Sequence, residues 1–154
     1  MENYGKPKVY IATAQAFDDE MRDRINGHKI ARGDGWRLIE APMTAAETLG
    51  QVGAGEVALL DCATMWLTNQ LLAETDLEQA VTELMNAIRT CPGDLVIVSN
   101  EVGLSIVPET ALARRFRDEQ GALNFKLAAL SDLSVLVAAG LPLLLKGNLP
   151  DGMT

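Results

Sequence analysis

The chain has 154 residues, 48% of them hydrophobic and 22% charged, which is typical of a folded domain and argues against a disordered segment. Its formal net charge of −8 argues against nucleic-acid binding, because a phosphate backbone needs a basic patch. The longest apolar run, residues 133–145, is too short and interrupted to cross a bilayer, and the polar start gives no sign of a signal peptide. We therefore expect a single cytoplasmic domain over residues 1–154.

Four segments are predicted strands, because they are apolar nearly throughout and rich in Val, Leu and Ile. Strands buried on both faces of a sheet have this character. The segments are residues 8–14, 56–62, 94–99 and 134–139. A fifth, shorter strand is expected at residues 143–146.

Helix-like segments lie between these strands. Residues 18–29 open with acidic side chains, which favour the positive end of a helix dipole, and residues 43–51 are also helix-like. Residues 76–89 and 108–132 carry apolar side chains at helical spacing, and Gly121 is expected to break or kink the second of these helices. The alternation predicts a three-layer α/β domain with a mainly parallel sheet and helices on both faces.

Three of the predicted strands end in small or polar residues, at 12–14, 61–64 and 99–101. In parallel sheets the ligand sites collect beyond the carboxyl ends of the strands. The pattern therefore predicts a crevice there for a nucleotide or another small molecule.

His28 is the only histidine of the chain, and it lies in the first predicted helix. A buried strand that leads into a helix carrying a single imidazole suits nucleophilic or acid–base chemistry. Alternatively, Phe17, Met21, Ile25 and His28 share one helical stripe, and His28 is the polar end of a core-facing edge. Spacing alone leaves both interpretations open.

Five blocks of sequence carry a pattern that periodicity does not explain. They are residues 97–109 (IVSNEVGLSIVPE), 112–118 (LARRFRD), 10–14 with 18–21 (YIATA, DDEM), 24–28 (RINGH) and 59–62 with 68–69 (LLDC, TN). In the order and spacing of these blocks along the chain, from about residue 8 to residue 146, the protein resembles the bifunctional adenosylcobinamide kinase / adenosylcobinamide-phosphate guanylyltransferase family of cobalamin biosynthesis.

The resemblance implies a P-loop nucleotide-binding fold that assembles as a homotrimer. It also implies two reactions. ATP or GTP phosphorylates the aminopropanol hydroxyl of adenosylcobinamide, and GMP then passes from GTP through a histidine to adenosylcobinamide phosphate. His28 matches the histidine that becomes guanylylated. A neutral imidazole can attack the α-phosphorus of GTP, expel pyrophosphate and later release GMP to a phosphate acceptor.

The resemblance implies nucleotide contacts as well. Those at the end of the first strand are Ala12, Thr13 and Ala14, and those beside the histidine are Lys29, Ile30, Ala31 and Arg32. Glu40 matches a guanosine-contacting position, and its alternative is an exposed loop carboxylate. Asp61 resembles the acidic residue of a Walker-B-type strand, which would hold Mg²⁺ through water, and its alternative is a helix N-cap.

The chain departs from the family pattern at its start. The family opens with a strand and a G-x-x-x-x-G-K-S/T loop that cradles phosphates, whereas residues 5–8 (GKPK) lack the first glycine and place proline after lysine. We therefore expect the first strand and the P-loop to be absent, through a gene start placed too far downstream or a truncation. The alternative is a short, catalytically impaired paralogue that acts as a nucleotide- or corrinoid-binding or assembly protein. The intact His28, Asp61 and residues 99–108 favour the first explanation, and Phe125 stands where similar sequences tend to have a polar residue.

Overall fold

The structure, a computed structural model, describes residues 5–16 and 18–150. Strands and helices alternate along this part of the chain. In order they are β1 (Lys8–Ala12), α1 (Asp19–Arg32), β2 (Trp36–Glu40), α2 (Ala45–Leu49), β3 (Val57–Asp61), α3 (Ala63–Leu72), α4 (Leu77–Thr90), β4 (Asp94–Val98), α5 (Ala111–Leu130), β5 (Ser134–Ala138) and β6 (Leu141–Lys146). The predicted α/β class is therefore confirmed.

The first four strands form one parallel sheet in the order β2-β1-β3-β4. Ala12 at the end of β1 lies opposite Glu40 on β2 and opposite Asp61 on β3, and Asp61 lies opposite Val98 on β4. All four strands therefore end in register. Their last residues define one carboxyl edge of the sheet, where a parallel sheet carries its ligand site.

The two faces of this sheet are covered unequally. Val9 and Ile11 of β1 and Leu60 of β3 are fully buried, and they share a hydrophobic cluster with side chains of α2, α3, α4 and α5. Successive strand residues point to opposite faces, so Tyr10 lies on the other face, where Arg32 of α1 stacks on its ring. Helices flank both faces, as predicted, but α1 itself contains no buried residue.

The ends of α1 follow from local sequence. The side chain of Asp18 accepts a hydrogen bond of 2.7 Å from the backbone N–H of Met21, which caps the first turn. Asp19 and Glu20 add negative charge where the helix dipole is positive. Gly33, with a φ of 66°, ends the helix in a conformation that glycine adopts without strain.

Residues 134–139 were predicted as a strand buried in the parallel sheet. The strand is confirmed at Ser134–Ala138, but its predicted place in the parallel sheet was wrong. β5 instead pairs with β6 in a separate antiparallel hairpin. Its two-residue loop, Ala139 and Gly140, has positive φ at both positions, which is the geometry of a tight hairpin turn. Two residues cannot make the crossover that parallel pairing needs, and Val137 and Leu141 stay 65% and 71% exposed.

The expected break at Gly121 was also wrong, because α5 is continuous from Ala111 to Leu130. Gln120 and Leu123, on either side of the glycine, are buried and hold the helix against the rest of the protein. Glycine lowers helix propensity but keeps its backbone hydrogen bonds. Packing of the flanking residues therefore carries the helix through this position.

Within the part of the chain that the structure describes, no helix combines the length and the apolar character needed to cross a membrane.

Candidate functional site

Four side chains from β1, α1 and β3 meet at the carboxyl edge of the sheet. Asp61 accepts a hydrogen bond from the hydroxyl of Tyr10, and its Oδ2 lies 3.9 Å from Nδ1 of His28. Arg32, one helical turn beyond His28, places its guanidinium carbon 4.0 Å from the centre of the Tyr10 ring. We call these four residues the His28 cluster.

The imidazole of His28 is largely open to solvent. Its side chain is 71% exposed, and α1 buries none of its residues. The alternative interpretation, in which His28 ends a core-facing stripe, is therefore wrong for the described members of that stripe. Met21 and Ile25 are only half-buried, and Phe17 lies outside the described residues.

Asp61 is the last residue of β3, and its side chain is 22% exposed. It does not cap the next helix, so the N-cap alternative is wrong. Cys62 is the N-cap of α3, and its Sγ accepts from the backbone N–H of Met65 at 3.5 Å. The carboxylate of Asp61 is therefore left for the His28 cluster. Burial raises the pKa of the Cys62 thiol, which keeps this neighbour protonated and unreactive.

The sequence did not identify Tyr10 as a site residue, because an aromatic side chain in an apolar strand is typical of the hydrophobic core. The hydroxyl is the distinguishing feature, since a buried tyrosine needs a hydrogen-bond partner. Burial, and then the Asp61 carboxylate, raise the pKa of Tyr10 well above its ordinary value, while Arg32 acts in the opposite direction. Tyr10 therefore remains a hydrogen-bond donor to Asp61 at any physiological pH.

Arg32 supplies a fixed positive charge beside His28. Its Nε is buried and has no hydrogen-bond partner among the described residues. The guanidinium stacks on Tyr10, and Tyr10 in turn makes an edge-to-face contact with Trp36, with ring centres 5.9 Å apart. This stacking restricts where the charge of Arg32 can lie, next to the place where a phosphate would approach His28.

Thr13 joins the end of β1 to the end of β3. Its hydroxyl donates to the carbonyl of Cys62 at 2.7 Å and accepts from the backbone N–H of Cys62 at 2.8 Å. Asn69 of α3 donates to the carbonyl of Thr13 at 2.8 Å. Thr13 is fully buried, so its side chain holds the strand ends in place and is not available to a ligand.

The end of β4 joins the same edge, as the sequence predicted. The backbone N–H of Asn100 donates to the hydroxyl of Thr64 at 2.8 Å. From α5, Asn124 donates to the carbonyl of Asn100 at 3.1 Å and accepts from Ser99 at 2.6 Å, while the buried Gln120 donates to Ser99 at 2.9 Å. The three polar strand ends therefore converge.

The remaining predicted nucleotide contacts surround the His28 cluster without joining it by a hydrogen bond. Ala12 and Ala14 are half-buried beside Thr13. Glu40 is the exposed last residue of β2, so it is not in a loop, and it lies across β1 from Asp61. Residues 29–31 are exposed on α1, and Ile30 among them is 82% exposed.

Comparisons with known proteins agree on one family. The family model described as cobinamide kinase / cobinamide phosphate guanyltransferase matches residues 1–145. The bifunctional adenosylcobalamin biosynthesis protein CobP of Pseudomonas aeruginosa is 43% identical over 142 residues, which cover 90% of this chain and 82% of that protein. The proteins named CobU from Escherichia coli and Salmonella typhimurium are each 39% identical, over 154 and 155 residues, and each match covers 90% of this chain and 85% of the relative.

Proposed function

This chain belongs to the cobinamide kinase / cobinamide phosphate guanyltransferase family, and we propose that His28 is its GMP-accepting nucleophile. One observation carries the proposal. The sole histidine lies on α1 with a largely exposed imidazole, and one of its nitrogens faces the Asp61 carboxylate at the carboxyl edge of the sheet, at 3.9 Å. A nucleophile paired with an orienting group is the arrangement that covalent catalysis requires.

The proposed transfer consists of two displacements at one phosphorus atom. First, the lone pair of a neutral imidazole nitrogen attacks the α-phosphorus of GTP. A nitrogen–phosphorus bond forms as the bond to the bridging oxygen breaks, and pyrophosphate leaves with that electron pair. Then a phosphate oxygen of adenosylcobinamide phosphate attacks the same phosphorus, the electron pair returns to the imidazole, and adenosylcobinamide-GDP is the product.

The nucleotide would lie along the carboxyl edge, beside the His28 cluster. The small side chains of Ala12 and Ala14 let a phosphate or ribose approach the backbone, and Lys29 with Arg32 offset phosphate charge. Ile30 and Ala31 complete the proposed contacts on α1. Glu40 is the proposed acceptor for hydrogen-bond donors of the guanine base, two strands from Asp61.

Mg²⁺ fits this edge only with help from the nucleotide. Among residues 5–16 and 18–150, no group of three His, Cys, Asp or Glu side chains could hold a metal ion. Mg²⁺ commonly binds through one carboxylate, several waters and substrate phosphates, and Asp61 could supply that carboxylate through water. The ion would neutralise charge on the phosphates of GTP or ATP. Phosphorylation of adenosylcobinamide by ATP or GTP, and assembly as a homotrimer, are proposed on the family resemblance alone.

The proposal is tested by intact mass measurement after incubation with GTP and Mg²⁺. We expect a mass gain of one GMP that acid removes and that His28→Ala abolishes. The matched control is Asp23→Asn, an exposed change on the same helix, which should leave the gain unchanged. A gain that persists in His28→Ala would contradict the role of His28. If the unaltered chain shows no gain, the same measurement on a chain extended upstream to include a P-loop decides: no gain there either would contradict the proposal and favour the impaired paralogue.

A further inference from the structure

We infer that Asp61 is the positioning residue for His28: it accepts the proton on Nδ1 and thereby leaves Nε2 as the nucleophilic nitrogen, while Tyr10 fixes the carboxylate. This inference rests on the proposed function and specifies which atom of His28 reacts. It also gives Asp61 a role besides that of a proposed cation ligand, and it assigns Tyr10 a role in the proposed reaction.

The orientation of the imidazole is the first observation that supports this inference. Nδ1 is the nitrogen that faces Asp61, at 3.9 Å from Oδ2. The two ring nitrogens point in different directions, and the hydrogen bond made by one decides which nitrogen holds the proton. The distance is longer than a hydrogen bond, and such contacts tighten when substrate binds. Since the side chain is 71% exposed, Nε2 is left to face an incoming nucleotide.

The hydrogen bond that holds the Asp61 carboxylate is the second observation that supports this inference. The hydroxyl of Tyr10 donates to Oδ2 of Asp61, the same oxygen that faces His28. Tyr10 is 7% exposed and is held between Arg32 and Trp36. Its hydroxyl is therefore a fixed donor that sets the direction of the carboxylate before any substrate binds.

The chemistry of GMP transfer is the third argument for this inference. With the proton on Nδ1, Nε2 has a free lone pair and can attack phosphorus without first losing a proton. Once the nitrogen–phosphorus bond forms, the ring is a cation that still holds the Nδ1 proton, and the Asp61 carboxylate stabilises it. When GMP leaves, the electron pair returns to Nε2, so the ring needs no proton transfer in either displacement.

The single histidine makes a direct test possible. In protein labelled with nitrogen-15 histidine, every imidazole signal belongs to His28, and the nitrogen chemical shifts report which nitrogen holds the proton. At about pH 8.5, where a free imidazole is neutral, we expect the proton on Nδ1 in the unaltered chain. In Asp61→Asn we expect it to move to Nε2, because an amide N–H can donate to an unprotonated Nδ1.

Two further variants make the result specific. Tyr10→Phe keeps the ring between Arg32 and Trp36 and removes only the donor, so the share of Nδ1-protonated His28 should fall. Asp94→Asn is the matched control, since it removes a carboxylate at the start of β4 that pairs with Lys6 at 2.6 Å at the opposite edge of the sheet. This variant should leave the proton on Nδ1.

The initial rate of GMP adduct formation gives the second measurement. Asp61→Asn should lower it by about 100-fold or more, because a nucleophile in the wrong protonation pattern loses orders of magnitude in rate. A proton already on Nε2 in the unaltered chain, or one that stays on Nδ1 in Asp61→Asn, would overturn the inference. Absence of the adduct from this chain and from one extended upstream, with the proton on Nδ1, would overturn the proposed function alone and support the contact between Asp61 and His28.

Discussion

The hydroxyl of Thr13 both donates to and accepts from the backbone of Cys62, in a place where no solvent reaches it. A valine fills nearly the same volume but leaves the N–H and the carbonyl of Cys62 without this partner. A buried polar group that loses its hydrogen bond costs about 1–3 kcal/mol. Cys62 directly follows Asp61, so the Thr13 side chain helps to hold this part of the carboxyl edge in position.

We therefore expect Thr13→Val to lower the free energy of unfolding by about 1–3 kcal/mol, measured as a shift in the midpoint of urea denaturation. The control is Thr82→Val on α4, where the exposed hydroxyl bonds only to the carbonyl one turn earlier. This change should stay within about 0.5 kcal/mol. Equal effects of the two variants would contradict the bridging role of Thr13.

The residues of the site were only partly predictable from the sequence. His28 and Asp61 were identified from their place after apolar strands and from the family resemblance, and the structure brings them together. Tyr10 was missed because only the three-dimensional register shows that its hydroxyl reaches Asp61. Thr13 was expected to touch the nucleotide, whereas its side chain is used within the protein, a distinction that burial alone reveals.

Among the elements, α5 shows how packing overrides a local signal. Gly121 is inside the helix, and a Cβ added there would meet nothing within 4 Å. Glycine costs a helix about 0.5–1 kcal/mol relative to alanine. We expect Gly121→Ala to raise the free energy of unfolding by that amount, measured by urea denaturation.

The same substitution at Gly93 provides the opposite control. A Cβ there would lie 2.6 Å from the carbonyl oxygen of Gly53, a contact that the backbone cannot relieve cheaply. Gly93→Ala should therefore destabilise the protein. If Gly121→Ala also destabilised it, the description of α5 as an unstrained continuous helix would be wrong.

Elements with a clean hydrophobic pattern were predictable, and those with mixed patterns were not. β2 was missed because an edge strand that pairs only with β1 among the described strands can carry charged residues such as Arg37. α3 was missed because it buries polar side chains, and Asn69 and Gln70 use theirs to bind the carbonyls of Pro42 and Met43. Hydrophobic periodicity does not detect a helix whose buried face makes hydrogen bonds.

For the whole molecule, the unequal cover of the sheet predicts unequal stability. On one face, Val9, Ile11 and Leu60 are fully buried and pack with side chains of four helices, whereas α1, on the other face, buries none of its own residues. Local opening is cheapest where few apolar contacts must be broken. α1 should therefore open without unfolding of the core.

Hydrogen exchange followed by mass spectrometry checks this expectation. Amides of α1 should exchange much faster than those of β1 and β3, and saturating GTP should slow them, because a ligand stabilises the state that it binds. Protection of α1 equal to that of β3 would show that the helix opens only with the whole protein.

The weak packing of α1 would allow this helix to move during a reaction in which one histidine nitrogen contacts two substrates in turn. In the proposed reaction the imidazole would receive GMP and then present it to a second, much larger substrate, and the nucleotide and the corrinoid could not both lie on the same side of the ring. Because α1 buries none of its residues, it could shift between these two encounters while breaking few contacts. The buried face of the sheet keeps its packing throughout, so the change of partner costs the protein little of its stability.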